Sequence, residues 1–195
     1  LIGLARPLEG DVTIAGERVT ELKAGRPSFG VMFQQGALFG SMTVAENVAL
    51  ALEKWTDLPR DAVAAIVRSK LRLVGLESAA GKLPSELSGG MRKRAAIARA
   101  MALEPSLLFL DEPSSGLDPV TSAELDELIV TLKTMLGLTV VVVTHELGSI
   151  LSIVDRCVML DGGSRSIIAR GRPSELKDSS VPVVRAFFTR TPRPS

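Results

Sequence analysis

Hydrophobic positions along this chain follow two rhythms. Short unbroken apolar runs alternate with longer stretches in which apolar side chains return every third or fourth residue. The first rhythm reads as strand and the second as amphipathic helix. Phe29–Phe33, Leu107–Leu110 and Thr139–Val143 are such runs, and Asp155–Leu160 and Ser164–Arg170 are read as further strands. The run at Leu107 lies between Pro105 and Pro113 and reads as a buried parallel strand; the β-branched run at Thr139 reads as buried too. Helices are expected over Ala45–Leu52, Asp61–Val74, Ser88 to about Glu104, Thr121–Leu136, Leu147–Val154 and Val181–Phe188. The Thr121–Leu136 helix gathers Leu125, Leu128, Ile129, Leu132 and Leu136 on one face.

Punctuation residues sharpen the boundaries. Thr43 and Glu46 form a capping-box pattern at the start of the first helix. Pro105 stops the helix that Ser88 caps. Asp11–Ile14 followed by Ala15-Gly16 reads as strand and turn, with Glu17–Leu22 continuing as an antiparallel edge. Leu1–Gly10 reads as the end of a helix broken at Pro7, so the domain is expected to begin before Leu1. Gly171–Leu176 reads as a turn and short helix, and Thr189–Ser195 as a disordered tail. Trp55 is read as packing or interface, and Cys157 as a core residue. The pattern makes an α/β domain with a mostly parallel sheet.

Composition narrows the partners. The 195 residues suit one domain, and 46% hydrophobic content with mean hydropathy +0.27 supplies ample core. Net charge is +1, from 23 basic and 22 acidic residues, which gives no global pull towards nucleic acid or anionic membrane. Aromatics make up 4% and tyrosine is absent, which argues against base-stacking surfaces. A single cysteine excludes an internal disulfide framework and fits a reducing compartment. No apolar run approaches the roughly 20 residues of a spanning helix, and no stretch reads as a signal peptide. Any work at a membrane therefore needs a partner to supply the membrane part.

Chemistry concentrates between Leu87 and Leu117. Ser88 caps a helix whose first turn holds Gly89 and Gly90, leaving backbone N–H groups open at the positive end of the helix dipole. That is an anion site suited to phosphate. Asp111 and Glu112 end the strand that follows, at the sheet edge where open parallel α/β sheets bind ligands. One carboxylate suits Mg²⁺ and its neighbour suits polarising a water. Arg92-Lys93-Arg94 reads as the solvated face of the helix. His145, the only histidine, ends another strand, and Gln34 and Gln35 end the strand at Phe29.

Leu87-Ser88-Gly89-Gly90-Met91, Leu107–Glu112 and Ser115-Gly116-Leu117-Asp118 resemble, in order and spacing, the signature motif, Walker B strand and D-loop of ATP-binding-cassette (ABC) ATPases. Met91 departs from the glutamine common there. The resemblance covers Leu4 to about Phe188 and implies a P-loop (RecA-like) core over 1–188, with a helical subdomain inserted at about 44–104. It implies a head-to-tail homodimer binding ATP and Mg²⁺. Ser88, Gly89 and Gly90 would then meet the partner's γ-phosphate. Asp111 would support Mg²⁺, with Gln34 (or, failing it, Gln35) contacting the metal from the Q-loop. Glu112 would activate water, His145 would touch the γ-phosphate as the H-loop residue, and Asp118 would communicate across the dimer. No G-x-x-x-x-G-K-[ST] occurs in the sequence, so the Walker A loop is expected upstream of Leu1.

Within the family, Phe33–Phe39, Leu83–Met91 and Val184–Phe188 look most like phospholipid-transport ATPases of the Mla/MCE type, linked to organic-solvent tolerance. That likeness implies an integral-membrane permease, an MCE lipid-binding protein, no nucleic acid, and a peripheral place on the cytoplasmic face of the inner membrane. The alternatives are an ATPase of another importer, for amino acids or similar solutes, and a non-catalytic fragment without Walker A.

Overall fold

A computed structural model describes residues 2–5, 7–14, 16–18 and 29–192. Its centre is a three-stranded parallel sheet of β3 (Phe29–Met32), β4 (Leu107–Asp111) and β5 (Thr139–Val143), with β4 in the middle. Phe29 lies opposite Leu107, and Leu107 opposite Thr139, so the C-terminal ends of all three strands share one edge. Phe29 and Phe109 meet edge-to-face at 5.4 Å. Leu108 and Leu110 alternate with them and are buried.

Before the sheet stands a small antiparallel hairpin, β1 (Thr13–Ile14) with β2 (Glu17–Arg18). The expected extension to Leu22 falls, from position 19 on, outside the described residues. Residues 2–5 and 7–10 form bends rather than the end of a helix. Gly3 and Gly10 take positive φ there, and Pro7 offers no N–H, so no helical ladder forms.

Three helices pack together, α1 (Val44–Trp55), α2 (Arg60–Leu73) and α3 (Gly89–Ala100), and α3 lies against β3. The capping box at Thr43 forms as the sequence predicts: its Oγ1 accepts from the Glu46 N–H at 3.2 Å, and its own N–H donates to Glu46 Oε2 at 2.7 Å. Met32, Val44, Val48, Leu71, Val74, Ala95–Ala98, Leu108 and Leu110 share one core with α4 (Pro119–Leu136) through Leu125, Ile129 and Leu132. Fully buried Asn47 stitches the loop before α1. Its Nδ2 donates to the carbonyls of Phe39, Met42 and Thr43, and its Oδ1 accepts from the Phe39 N–H at 2.8 Å. Trp55 packs half-buried on this core, with Lys54 Nζ 5.3 Å from its ring centroid.

One boundary and two burials differ from the sequence reading in ways that neighbours explain. α3 ends at Ala100, not near Glu104. A residue before proline avoids the helical region; Glu104 takes φ 53 and pairs with buried Lys70 at 3.0 Å. Leu136 is 42% exposed rather than part of the buried face, because α4 ends there in a left-handed cap at Gly137. β5 is only half-buried, and Val143 is 56% exposed, because among the described residues β4 is its one strand neighbour.

A second, smaller core lies beyond. Here α5 (Leu147–Ile153), the antiparallel pair β6 (Cys157–Asp161) and β7 (Ser166–Gly171), α6 (Pro173–Leu176) and α7 (Pro182–Thr189) pack around Leu147, Ile150, Leu176, Val184 and Phe188. Cys157 packs half-buried against it, and burial pushes its thiol up. Thr189 and Thr191 join by a 3.0 Å hydroxyl contact, and the Thr191 N–H caps α7 on the Ala186 carbonyl. Positions 193–195 of the expected tail lie outside the described residues.

Asp126 on α4 is buried facing α5. Its Oδ2 accepts from Ser152 Oγ at 3.2 Å, while Oδ1 has no hydrogen-bond partner among the described residues. Burial pushes its carboxyl up. A carboxyl raised in the folded state contributes most stability below its unfolded pKa of about 3.9 and loses it as pH rises through the folded value. Asp126→Asn should therefore raise Tm at pH 7–8, by roughly 2–4 °C for about 1 kcal/mol, and lose that advantage near pH 4. Thermal melts of both proteins across that range check it.

Candidate functional site

β4 delivers Asp111 and Glu112 to the shared C-terminal edge of the sheet, as a buried strand followed by proline should. Asp111 lies in register with Val143. Glu112 donates its N–H to the Val143 carbonyl at 2.8 Å and then leaves the ladder with φ 45, an uncommon conformation for a residue with a side chain. Its carboxylate thereby turns to the end of β5. Glu112 Oε1 stands 2.7 Å from His145 Nδ1, and Oε2 makes a long 3.4 Å contact with Thr144 Oγ1. Thr144 in turn accepts the Glu146 N–H at 3.0 Å, which shapes the turn.

The pair is asymmetric. The Glu112 side chain is 15% exposed and the His145 side chain 70%. The hydrogen bond to Glu112, and after it the Glu112 charge, holds the imidazole above its ordinary pKa. With Nδ1 engaged, the Nε2 side of the ring is the face offered outward, 3.7 Å from Glu146 Oε1.

The helix starts form a second group. Ser88 caps α3, its Oγ accepting the Met91 N–H at 3.2 Å, and remains exposed. Gly89 is half-buried; a Cβ there would lie 3.2 Å from Leu117 Cδ2. Gly90 is buried, and a Cβ would lie 2.5 Å from Thr121 Cγ2. Packing of α3 on α4 thus requires glycine at position 90 quite apart from any ligand. Asp118 caps α4: Oδ1 accepts from the N–H groups of Val120 and Thr121, and Oδ2 accepts from Thr121 Oγ1. The Thr121 hydroxyl is the main reason that its carboxyl lies below the usual range. Between the two helix starts and exposed Gln34 and Gln35 lies a cleft of ≈ 390 Å³, also lined by Arg92, Lys93 and Ser115–Leu117.

One expectation fails at Lys93. Of Arg92-Lys93-Arg94, read as a solvated face, Arg92 is exposed, Arg94 is half-buried and Lys93 is buried. Lys93 is 7% exposed, and its Nζ donates to the carbonyl oxygens of Gln34 and Glu112. Arg92 donates to the Leu87 carbonyl at 2.8 Å, and Arg94 pairs with Glu124 at 3.2 Å. The sequence reading missed Lys93 and also Arg99, which donates to the carbonyls of Gly36 and Ala37. A signal for Lys93 was present: positions 90, 93 and 97 follow helical spacing on the buried side of α3.

A parallel sheet whose central strand ends in an acidic pair at the carboxyl edge is the arrangement with which open α/β proteins bind ligands. The chain belongs to the ABC transporter family, whose model it matches over residues 1–115. It is 42% identical over 193 residues to a probable ribonucleotide transport ATP-binding protein, mkl, of Mycobacterium leprae, covering 96% of this chain and 55% of the relative. The chain thus spans about half the length of that protein. It is also 42% identical, over 191 residues, to the intermembrane phospholipid transport system ATP-binding protein MlaF of Escherichia coli K12, covering 95% of this chain and 70% of the relative. In fold it resembles cbiO1 of Clostridium perfringens, part of the ABC transporter complex cbiONQ (TM-score 0.79, 28% identity, 94% of this chain and 74% of the other). The ATP-binding cassette MJ0796, solved as a dimer in a post-hydrolysis state with ADP and Pi, matches at TM-score 0.76 and 30% identity, over 87% and 76% of the two chains.

Proposed function

We propose that this chain is the ATP-hydrolysing part of a transporter subunit that drives phospholipid movement. Residues 1–188 would be the ATPase domain, with 44–104 as its helical subdomain. The observation that carries the reading is the 2.7 Å pairing of Glu112 with His145 beside Asp111, at the end of the central parallel strand.

Glu112 accepts a proton from water through a carboxylate that His145 holds in place, while the water oxygen attacks the γ-phosphorus and ADP leaves. His145, whose pKa the hydrogen bond to Glu112 raises, presents its Nε2 edge to the phosphate as charge develops there. Ser88 and Gly89 offer the start of α3 to the phosphate of the facing subunit in a head-to-tail homodimer. Asp118, by fixing the start of α4, sets the shape of the contact between subunits.

Asp111 and Gln34 are an oxygen donor set suited to Mg²⁺. Among the described residues no group of three or more His, Cys, Asp or Glu could hold a metal alone. That suits an ion held by one or two protein groups together with phosphate oxygens and water. Once bound, Mg²⁺ supplies charge neutralisation at those oxygens.

The likeness to MlaF supports phospholipid as cargo. The partners proposed from the sequence resemblance are a permease and an MCE lipid-binding protein, with the chain on the cytoplasmic face of the inner membrane. No helix of the described residues is long and apolar enough to cross a membrane. The name of the mycobacterial relative favours a second reading, ribonucleotide transport. The native complex, purified with its membrane partner into phospholipid vesicles, separates them. Phospholipid cargo predicts ATP-dependent transfer of a labelled lipid to acceptor vesicles, with turnover unmoved by added ribonucleotides. Turnover without lipid transfer removes the lipid assignment, and no turnover at all favours the non-catalytic reading.

A further inference from the structure

We propose that Lys93 is a positioning residue that locks the Gln34 loop and the Glu112 backbone to the signature helix, so that all three move as one body during hydrolysis. The inference rests on the ATPase reading above.

Three observations converge. First, the Lys93 ammonium is buried, and both its acceptors are backbone carbonyls at the ends of neighbouring strands: Gln34 after β3 and Glu112 after β4. A buried charge without such partners is costly, so these contacts are held. Second, the Glu112 carbonyl is the one displaced by the positive φ that aims its carboxylate at His145. Among the described residues, its one other bond is a long 3.3 Å one from the Ser115 N–H. Lys93 therefore stabilises the backbone state on which the side-chain aim depends. Third, a second cation on the same helix, Arg99, holds the Gly36 and Ala37 carbonyls at 2.8 and 2.6 Å. The loop after β3 is thus pinned to α3 along its length rather than at one point.

Lysine suits this role. Its ammonium is a compact point with three donors, able to reach two carbonyls from different loops at once. Lys93 stands one turn beyond Ser88, Gly89 and Gly90, so any shift of that helix start is carried to Gln34 and Glu112.

The test compares wild type, Lys93→Met and Lys93→Arg in the native ATPase complex. Lys93→Met keeps the stem and removes the donors. Its kcat should fall about 100-fold with the KM for ATP within about threefold, as expected for a small misplacement of reacting groups. Hydrogen exchange read by mass spectrometry should rise roughly tenfold in the segments 34–37 and 112–117 and stay unchanged in β6 and β7. Lys93→Arg, which keeps charge and donors, should recover most of both losses. Wild-type exchange and turnover in Lys93→Met overturn the proposal. So does faster exchange across β6 and β7 as well, which would mark a merely structural lysine. If wild type itself hydrolyses no ATP, the ATPase reading fails, and the exchange comparison still decides whether Lys93 holds the two loops.

Discussion

Glu112→Gln should abolish ATP turnover while leaving the ATP-bound dimer intact or more persistent. Glutamine matches glutamate in shape, so the positive-φ backbone, the Lys93 contact and the β5 pairing all survive. What is lost is a group that accepts a proton, and removing a general base costs about 10²–10⁴ in rate. ATP binding does not need that proton transfer, so the bound state accumulates. Steady-state phosphate release and size-exclusion chromatography with ATP check the two halves. Unchanged turnover would remove Glu112 from the role of base.

The same variant has a spectroscopic consequence. His145 is the only histidine, so one imidazole signal reports on it. Glu112 raises its pKa, mainly by their hydrogen bond. In Glu112→Gln that signal should titrate at lower pH, closer to the ordinary value of about 6.5. The sign extends to stability. A histidine raised by a partner contributes fully below its unfolded pKa and loses the contribution as pH rises through the folded value. The pair should therefore contribute most below about pH 6.5 and weaken as pH rises through the raised folded-state value.

Gly30→Ala should be the most damaging single-methyl change in the central sheet. A Cβ on Gly30 would lie 2.1 Å from the Ala100 carbonyl oxygen, 2.9 Å from its carbon and 2.6 Å from Leu108 Cδ2. Leu108 could rotate, but the Ala100 carbonyl belongs to the end of α3 and has nowhere to go. Space alone therefore requires glycine here. Overpacking typically costs 1–3 kcal/mol, and a clash with backbone belongs at or above the top of that range, so Tm should fall by roughly 6–12 °C. Activity should fall further, because α3 would be levered off the strand that leads to Gln34. Gly148→Ala is the control: nothing lies within 4 Å of its added Cβ, and Tm should not drop. An unchanged Tm in Gly30→Ala would mean that α3 and β3 are not packed this closely.

Much of the architecture was legible in the chain because its determinants are local. The run Leu107–Leu110 between two prolines became the central parallel strand, and the Thr43–Glu46 pattern formed its capping box. Ser88 and Asp118 lie at helix starts because short polar side chains suit that place, and both cap there. The helix end near Glu104, and burial at Leu136 and Val143, were less legible because an element's end or a neighbour intervenes. Burial of Lys93 within the charged run 92–94 was misread, because local charge density says nothing of which carbonyls a helix will meet.

The sequence by itself determined the order of strands and helices, the acidic pair at the end of β4, and the family resemblance, since all of these are written in spacing along the chain. Tertiary structure decided which groups face one another. His145 reaches Glu112 across 33 positions, and Lys93 reaches Gln34 across 59. Gly30 must be glycine because the end of α3 arrives there, and Asp126 is raised because α5 covers it. Periodicity tells a residue which side of its own element it is on. Only the packing of one element on another tells it which carbonyl, carboxylate or methyl group it meets there.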